Sequence, residues 1–125
     1  MIFAQLAVGP LQVNCYILAD DKTKEAIVID PGEDAGDILA LLRDRGLQAK
    51  YIVVTHAHFD HVGANKALKD ATGAEIVLHQ DDDRLLKSAA NQGYLFGMRS
   101  TASPPADRYV RQGDVITAGG VTLRV

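Results

Sequence analysis

Three of the four histidines in this chain fall within the segment "THAHFDHVGA", Thr55 to Ala64, with an aspartate between the second and third. His56 and His58 are two residues apart, so in an extended segment both imidazoles face one side and can reach one cation. Asp60 and His61 follow where the chain turns toward a helix, and adjacent residues there can reach a second position close by. The four side chains therefore read as ligands of two metal ions, His56 and His58 on the first, Asp60 and His61 on the second. Neutral imidazole with carboxylate suits zinc foremost, and also manganese or iron, whereas calcium and magnesium prefer a shell of oxygens. The alternative, histidines that cap a strand and hydrogen-bond locally with no ion present, leaves so dense a cluster unexplained.

The other reactive residue types read differently. His79 ends an apolar segment well apart from the cluster, where an isolated histidine is more often an edge residue than a ligand. Cys15 is the only cysteine. It alternates with apolar residues and has no histidine beside it, which marks a core position rather than a nucleophile. A disulfide framework and a cysteine-rich zinc cluster are both excluded. Gly63 either lets the start of a helix approach the histidine loop closely or is a plain helix-entry glycine. The tyrosines read as packing residues.

Such a cluster needs elements to position it. "IFAQLAV" (2–8), "VNCYILA" (13–19) and "EAIVID" (25–30) are rich in β-branched or aromatic residues and are separated by turn-forming stretches, so they predict a three-stranded meander. From Asp34, Ala35, Ile38, Leu39, Leu41 and Leu42 recur at helical spacing behind an acidic first turn, and Gly46 ends the pattern. "YIVVT" (51–55) is an unbroken apolar strand that runs into the histidines. A second helix is predicted from about Val62 to Thr72, closed by Gly73. "AEIVLH" (74–79) is a further strand, and "DDDRLLKSAA" (81–90) a short helix whose aspartates complement the positive end of its dipole. Asn91 to Asp107 is expected to be irregular. With Tyr94, Phe96 and Met98 it reads either as a lid or binding loop or as a surface loop with apolar anchors. "RYVRQGDVITAGGVTLRV" (108–125) gives two or three strands with Gly119-Gly120 as a turn.

Composition sets the outer limits. At 125 residues the chain makes one domain at most, and its 47% hydrophobic and 23% charged residues suit a compact core. A net charge of −3 with interspersed signs suggests neither disorder nor a nucleic-acid surface, so a small-molecule partner is expected. The first 19 residues contain no Lys or Arg, and no apolar run reaches membrane-spanning length. A soluble cytoplasmic protein without membrane contact is expected.

"THAHFDH" resembles the H-x-H-x-D-H signature of the metallo-β-lactamase superfamily. Four segments match its glyoxalase II-like (hydroxyacylglutathione hydrolase-like) branch in order: "VNCYIL", "IVIDPG", "YIVVTHAHFDHVGA" and "QGDVITAGGVTLRV". The resemblance implies an α/β fold, the N-terminal half of an αββα sandwich, with residues 1–125 as the N-terminal part of the domain. It implies a zinc-dependent hydrolase carrying two ions in the complete domain, His56 and His58 on one, Asp60 and His61 on the other. Water activated by the metal, its pKa lowered toward ~7, would attack a carbonyl, with Asp60 as the catalytic residue that both binds metal and orients the attacking group. The favoured substrate is a thioester such as S-2-hydroxyacylglutathione. By the same likeness Asp30 orients a ligand from behind, while its plain reading is a turn former.

The pattern also departs from the family. Relatives supply a further histidine, a bridging aspartate and another histidine after the strand that "VTLRV" resembles, whereas no histidine follows His79 here. The expectation is a half-built site and an uncovered sheet face, inviting self-association. Lactonase, β-lactamase and persulfide dioxygenase activities share the scaffold and stay open, as does a truncated, non-catalytic metal-binding fragment.

Overall fold

A computed structural model describes residues 1–95, 97 and 102–125, apart from the side chain of Ala90. Strands β1 (Ile2–Val8), β2 (Val13–Ala19) and β3 (Glu25–Ile29) form the predicted antiparallel meander. From β3 onward the sheet is parallel, through β4 (Gln48–Val53), β5 (Glu75–His79) and β6 (Arg108–Val110), giving the order β1-β2-β3-β4-β5-β6. Each parallel step needs a helical crossover. Because such crossovers are right-handed and the strands are laid down in sequence, the helices gather on one face.

Helix α1 (Ala35–Asp44) connects β3 to β4 and buries Ile38 and Leu42. Gly46, at φ 65°, lets the chain leave α1 while Leu47 N–H closes back on the Leu42 carbonyl at 2.8 Å. The helices and the inner sheet face enclose the main core, which includes Ile17, Val28, Ile52, Leu68, Ile76 and Leu86. On the outer face a hairpin of β7 (Val115–Ala118) and β8 (Val121–Arg124) sets Ile116 and Ala118 against Ile27, Val53, Val77 and Val110. The result is a mixed α/β layer structure, helices on sheet with a second small sheet behind. Among the described residues no helix is long and apolar enough to cross a membrane.

Three expectations are corrected. The single helix expected from Val62 is two, α2 (Phe59–Val62) and α3 (Asn65–Thr72). Ala64 N–H bonds to the Pro31 carbonyl at 2.9 Å, so it is diverted from the Asp60 carbonyl that an unbroken helix would offer it. The irregular stretch also starts later than expected. A 3₁₀ turn at Gln80–Asp82 leads into α4 (Asp83–Leu95), which carries the helix past Asn91. Gln92 holds Ser88 Oγ one turn back at 3.2 Å, and Gly93 is buried, so packing outweighs the poor helical propensity of glycine. Tyr94 is 81% exposed on that helix, which corrects its reading as a packing residue. Phe96 and Met98, the other aromatic and apolar members of the proposed lid, lie outside the described residues.

Candidate metal centre

The histidines sit where β4 gives way to α2. Ala57 is fully buried between exposed His56 and His58, so alternation turns both imidazoles outward together. Their ring centres are 6.1 Å apart and nearly parallel, at 21°. His58 then becomes the residue preceding α2, and its carbonyl accepts from His61 N–H at 3.0 Å. This turn brings the third imidazole back, with its centre 5.7 Å from that of His56. Val62, fully buried, anchors the short helix from below.

Asp30 lies beneath the cluster. It leaves β3 with φ 54°, a conformation that aspartate tolerates better than most residues, and it is only 5% exposed. Its Oδ1 accepts from Thr55 N–H at 2.7 Å, and its Oδ2 accepts from the Thr55 hydroxyl. The same Oδ2 is 3.2 Å from His61 Nδ1, an ion-pair distance, although the ring N–H is not aligned well enough for a full hydrogen bond. Asp60 Oδ2 lies 3.8 Å from the other nitrogen of that ring. The Asp30 carboxylate beside His61, with a smaller push from Asp60, raises the imidazole pKa above its ordinary value, against burial, which lowers it. Of the two readings of Asp30, turn former and support for a histidine, the geometry contains both.

Glycines permit this closeness. A Cβ on Gly32 would come within 1.9 Å of the Asp60 carbonyl oxygen, and one on Gly63 within 2.2 Å of the Gly32 carbonyl oxygen. The loop after β3 is thus pressed against the start of the helical segment, and of the two readings of Gly63 close approach is the one observed. Beside His56 a groove of about 560 Å³ opens over the outer sheet face, floored by Ile29, Val53 and Leu123 and flanked by Thr55 and His79.

The donor set, three imidazoles and a carboxylate, fits a zinc or iron ion and not an oxygen-seeking one. Among the described residues, however, no three His, Cys, Asp or Glu side chains converge on one point. The fit lies in the chemistry and nearness of the groups. His79 stays apart from the three clustered rings: its Nδ1 accepts from Asp81 N–H at 3.1 Å and caps the 3₁₀ turn. Cys15 is fully buried, and burial, with the nearby Asp30 charge, pushes its thiol up to about 12, so it is inert as a nucleophile. The sequence reading missed Thr55, whose backbone and hydroxyl both reach Asp30. The signal was its place directly before His56, just past the end of β4, whose last residue Val53 pairs with Ile29, the residue before Asp30.

Comparison with known proteins agrees with this architecture. Residues 8–125 match the family model described as the metallo-beta-lactamase superfamily. The hydroxyacylglutathione hydrolase GloC of Haemophilus influenzae is 32% identical over 122 residues, covering 96% of this chain and 57% of that protein. The crystal structure of BLEG-1 B3 metallo-beta-lactamase has a TM-score of 0.87 at 35% identity, covering 98% of this chain and 59% of that one. TTHA1623, crystallised in a di-iron-bound form, has a TM-score of 0.82 at 33% identity, covering 89% of this chain and 55% of that one. The chain spans little more than half the length of the curated relatives it matches, 53–58% for three of them. Members of the matched family are mostly metal-dependent hydrolases. With its fold, its motif and nearly its whole length in agreement, the chain belongs to the metallo-β-lactamase superfamily.

Proposed function

We propose that residues 1–125 are the N-terminal part of a metal-dependent hydrolase domain acting on a thioester such as S-2-hydroxyacylglutathione. The observation that supports this best is the gathering of three imidazoles and Asp60 over a buried carboxylate, with His56 lining a groove sized for a small molecule. His56 and His58 would hold one ion, Asp60 and His61 a second, each zinc or iron. Bound there, the ions would supply a water ligand acidified toward ~7 and an electrophile for a carbonyl oxygen. The chain's own residues do the rest. Asp60 presents a carboxylate to the reacting side and holds the proton-accepting end of the site. Asp30 and Thr55 keep the histidine loop in place from below, and the apolar groove floor takes the acyl portion and excludes water. The negative net charge fits a small substrate better than a nucleic acid, and one unpaired, buried cysteine fits a reducing cytoplasm.

The thioester preference draws on the likeness to GloC, and the likeness to BLEG-1 favours a β-lactam as the second reading. In a full-length protein, replacing His56 and His58 together by alanine should remove most of the bound metal by elemental analysis. Asp60→Asn should keep the fold and the His56/His58 metal and lower thioester turnover by a factor of at least ~10². Unchanged metal content in the double variant would overturn the ligand assignment. Faster hydrolysis of a β-lactam than of any thioester would move the substrate to the second reading.

A further inference from the structure

The hydrogen bonds beneath the cluster determine more than position, because their donors can be counted. The Thr55 hydroxyl has one proton, and that proton is committed to Asp30 Oδ2, since a carboxylate only accepts. The same Oγ1 is 3.3 Å from His56 Nδ1. Toward His56, therefore, the hydroxyl can act only as an acceptor, and the hydrogen between them must belong to the ring. A neutral imidazole has one N–H, so with Nδ1 protonated the lone pair lies on Nε2. His61 Nδ1 lies 3.2 Å from the same Oδ2; its N–H is not aligned for a full hydrogen bond, but a carboxylate oxygen that close repels a lone pair, and Asp60 Oδ2 is farther from Nε2, at 3.8 Å, so the proton belongs on Nδ1. A free histidine side chain favours the opposite tautomer, so the protein must impose this one.

We propose that Thr55 is a positioning residue that relays the Asp30 carboxylate to His56, fixing both His56 and His61 as Nδ1–H tautomers with Nε2 as the atom offered to metal. One buried carboxylate then sets the donor atom of two imidazoles, one through a hydroxyl and one by direct approach. Among the described residues the His58 ring stacks on that of His56 and makes no side-chain hydrogen bond, so it lies outside this control. The inference rests on the reading of His56 and His61 as ligands, yet the tautomers themselves exist without any ion.

The experiment is a long-range ¹H–¹⁵N correlation of the metal-free, ¹⁵N-labelled full chain at pH about 9, well above the ordinary imidazole pKa of ~6.5. His56 and His61 should both show protonated Nδ1, with His58 as the internal reference. Thr55→Val should return His56 toward the Nε2–H form and leave His61 as it was. Thr55→Ser, which keeps the hydroxyl, should preserve the wild-type pattern. Zinc affinity, read against a competing chelator, should fall about 10- to 100-fold in Thr55→Val and recover in Thr55→Ser. Nε2–H at His56 in the wild-type chain, or an unchanged His56 tautomer in Thr55→Val, overturns the relay. If Thr55→Val does not fold, the wild-type and Thr55→Ser spectra decide it alone. Nδ1–H at His56 in a chain that binds no zinc supports the relay and removes the metal reading. Zinc binding by an Nε2–H His56 does the reverse.

Discussion

Asp30 is held in a backbone conformation that costs free energy, of order 1 kcal/mol or more, and the groups around it return that cost. Its carboxylate meets Thr55 twice and His61 once, so the strain is fixed by contacts converging from the segment after β4 and from α2. The neighbouring glycines serve the same closeness, and a pair of substitutions separates space from conformation. Gly63 has φ −61° and ψ −27°, values any residue adopts, so on conformational grounds alanine would stabilise it. Its Cβ would instead meet the Gly32 carbonyl, a backbone atom, at 2.2 Å. Gly63→Ala should therefore destabilise the fold by about 1–3 kcal/mol in urea denaturation. Gly36→Ala, inside α1 with nothing within 4 Å of its Cβ, should stabilise by about 0.5–1 kcal/mol. Equal effects at the two sites would mean that the Pro31-Gly32 loop gives way easily and does not press on the histidine segment.

Between elements, the tie most distant in sequence is made by Asp20, in the turn joining β2 to β3. Its carboxylate accepts from Lys22 N–H, Thr23 N–H and Thr23 Oγ1, and also from Gly120 N–H at 2.9 Å, one hundred residues along the chain in the turn between β7 and β8. A Cβ on Gly119 would lie 2.1 Å from Thr23 Oγ1, so the two turns are in close contact. The Gly120 bond foremost, with those of the Asp20 turn, holds the carboxyl down to about 2 from its ordinary 3.8. The sign follows from linkage: a carboxyl more acidic in the folded chain contributes stability above its unfolded value of 3.8, and that contribution disappears as pH falls through about 2. Asp20→Ala should thus lower the urea midpoint at pH 7. The gap between wild type and variant should close as the pH is taken from about 4 to about 2. A gap that stays constant across that range would assign the loss to packing and not to the charge.

At the scale of the molecule the two sheet faces are unequally covered. Helices enclose the inner face, but the β7–β8 hairpin covers the outer face only over β3 to β6. On β1 and β2, Phe3 is 54% exposed with its ring centre 5.8 Å from that of Tyr16, and Leu18 pairs with Phe3 on the same face. An apolar strip beside the open edge of β1 favours association. Residues 1–125 alone should show a mass that rises with concentration in sedimentation velocity, and Phe3→Glu should shift the distribution toward monomer. With four ligand candidates where two ions would require more, the same sample supplied with zinc should hydrolyse thioesters far more slowly than complete relatives do. A stable monomer with comparable turnover would show that the four side chains between 56 and 61 suffice.

Much of this was legible in the order of residues because its causes are local. Alternation over 2–8 and 13–19, the helical spacing from Ala35 to Leu42, and the glycines at 46 and 73 act within a few residues of where they stand. The same holds for His56 and His58: a two-residue spacing with a small buried residue between them turns both rings outward whatever surrounds them. Other features depend on contacts between distant segments. The helix after the histidines breaks because the Pro31 carbonyl captures Ala64 N–H, and α4 runs through Gly93 because that glycine is buried. Thr55 gains its two contacts with Asp30 only because β3 and β4 lie parallel and end side by side, Ile29 opposite Val53. Residue types and spacing thus determined which groups could bind metal, while strand register and close backbone packing decided which buried carboxylate stands behind them, since hydrogen bonds between segments exist only once the sheet has formed.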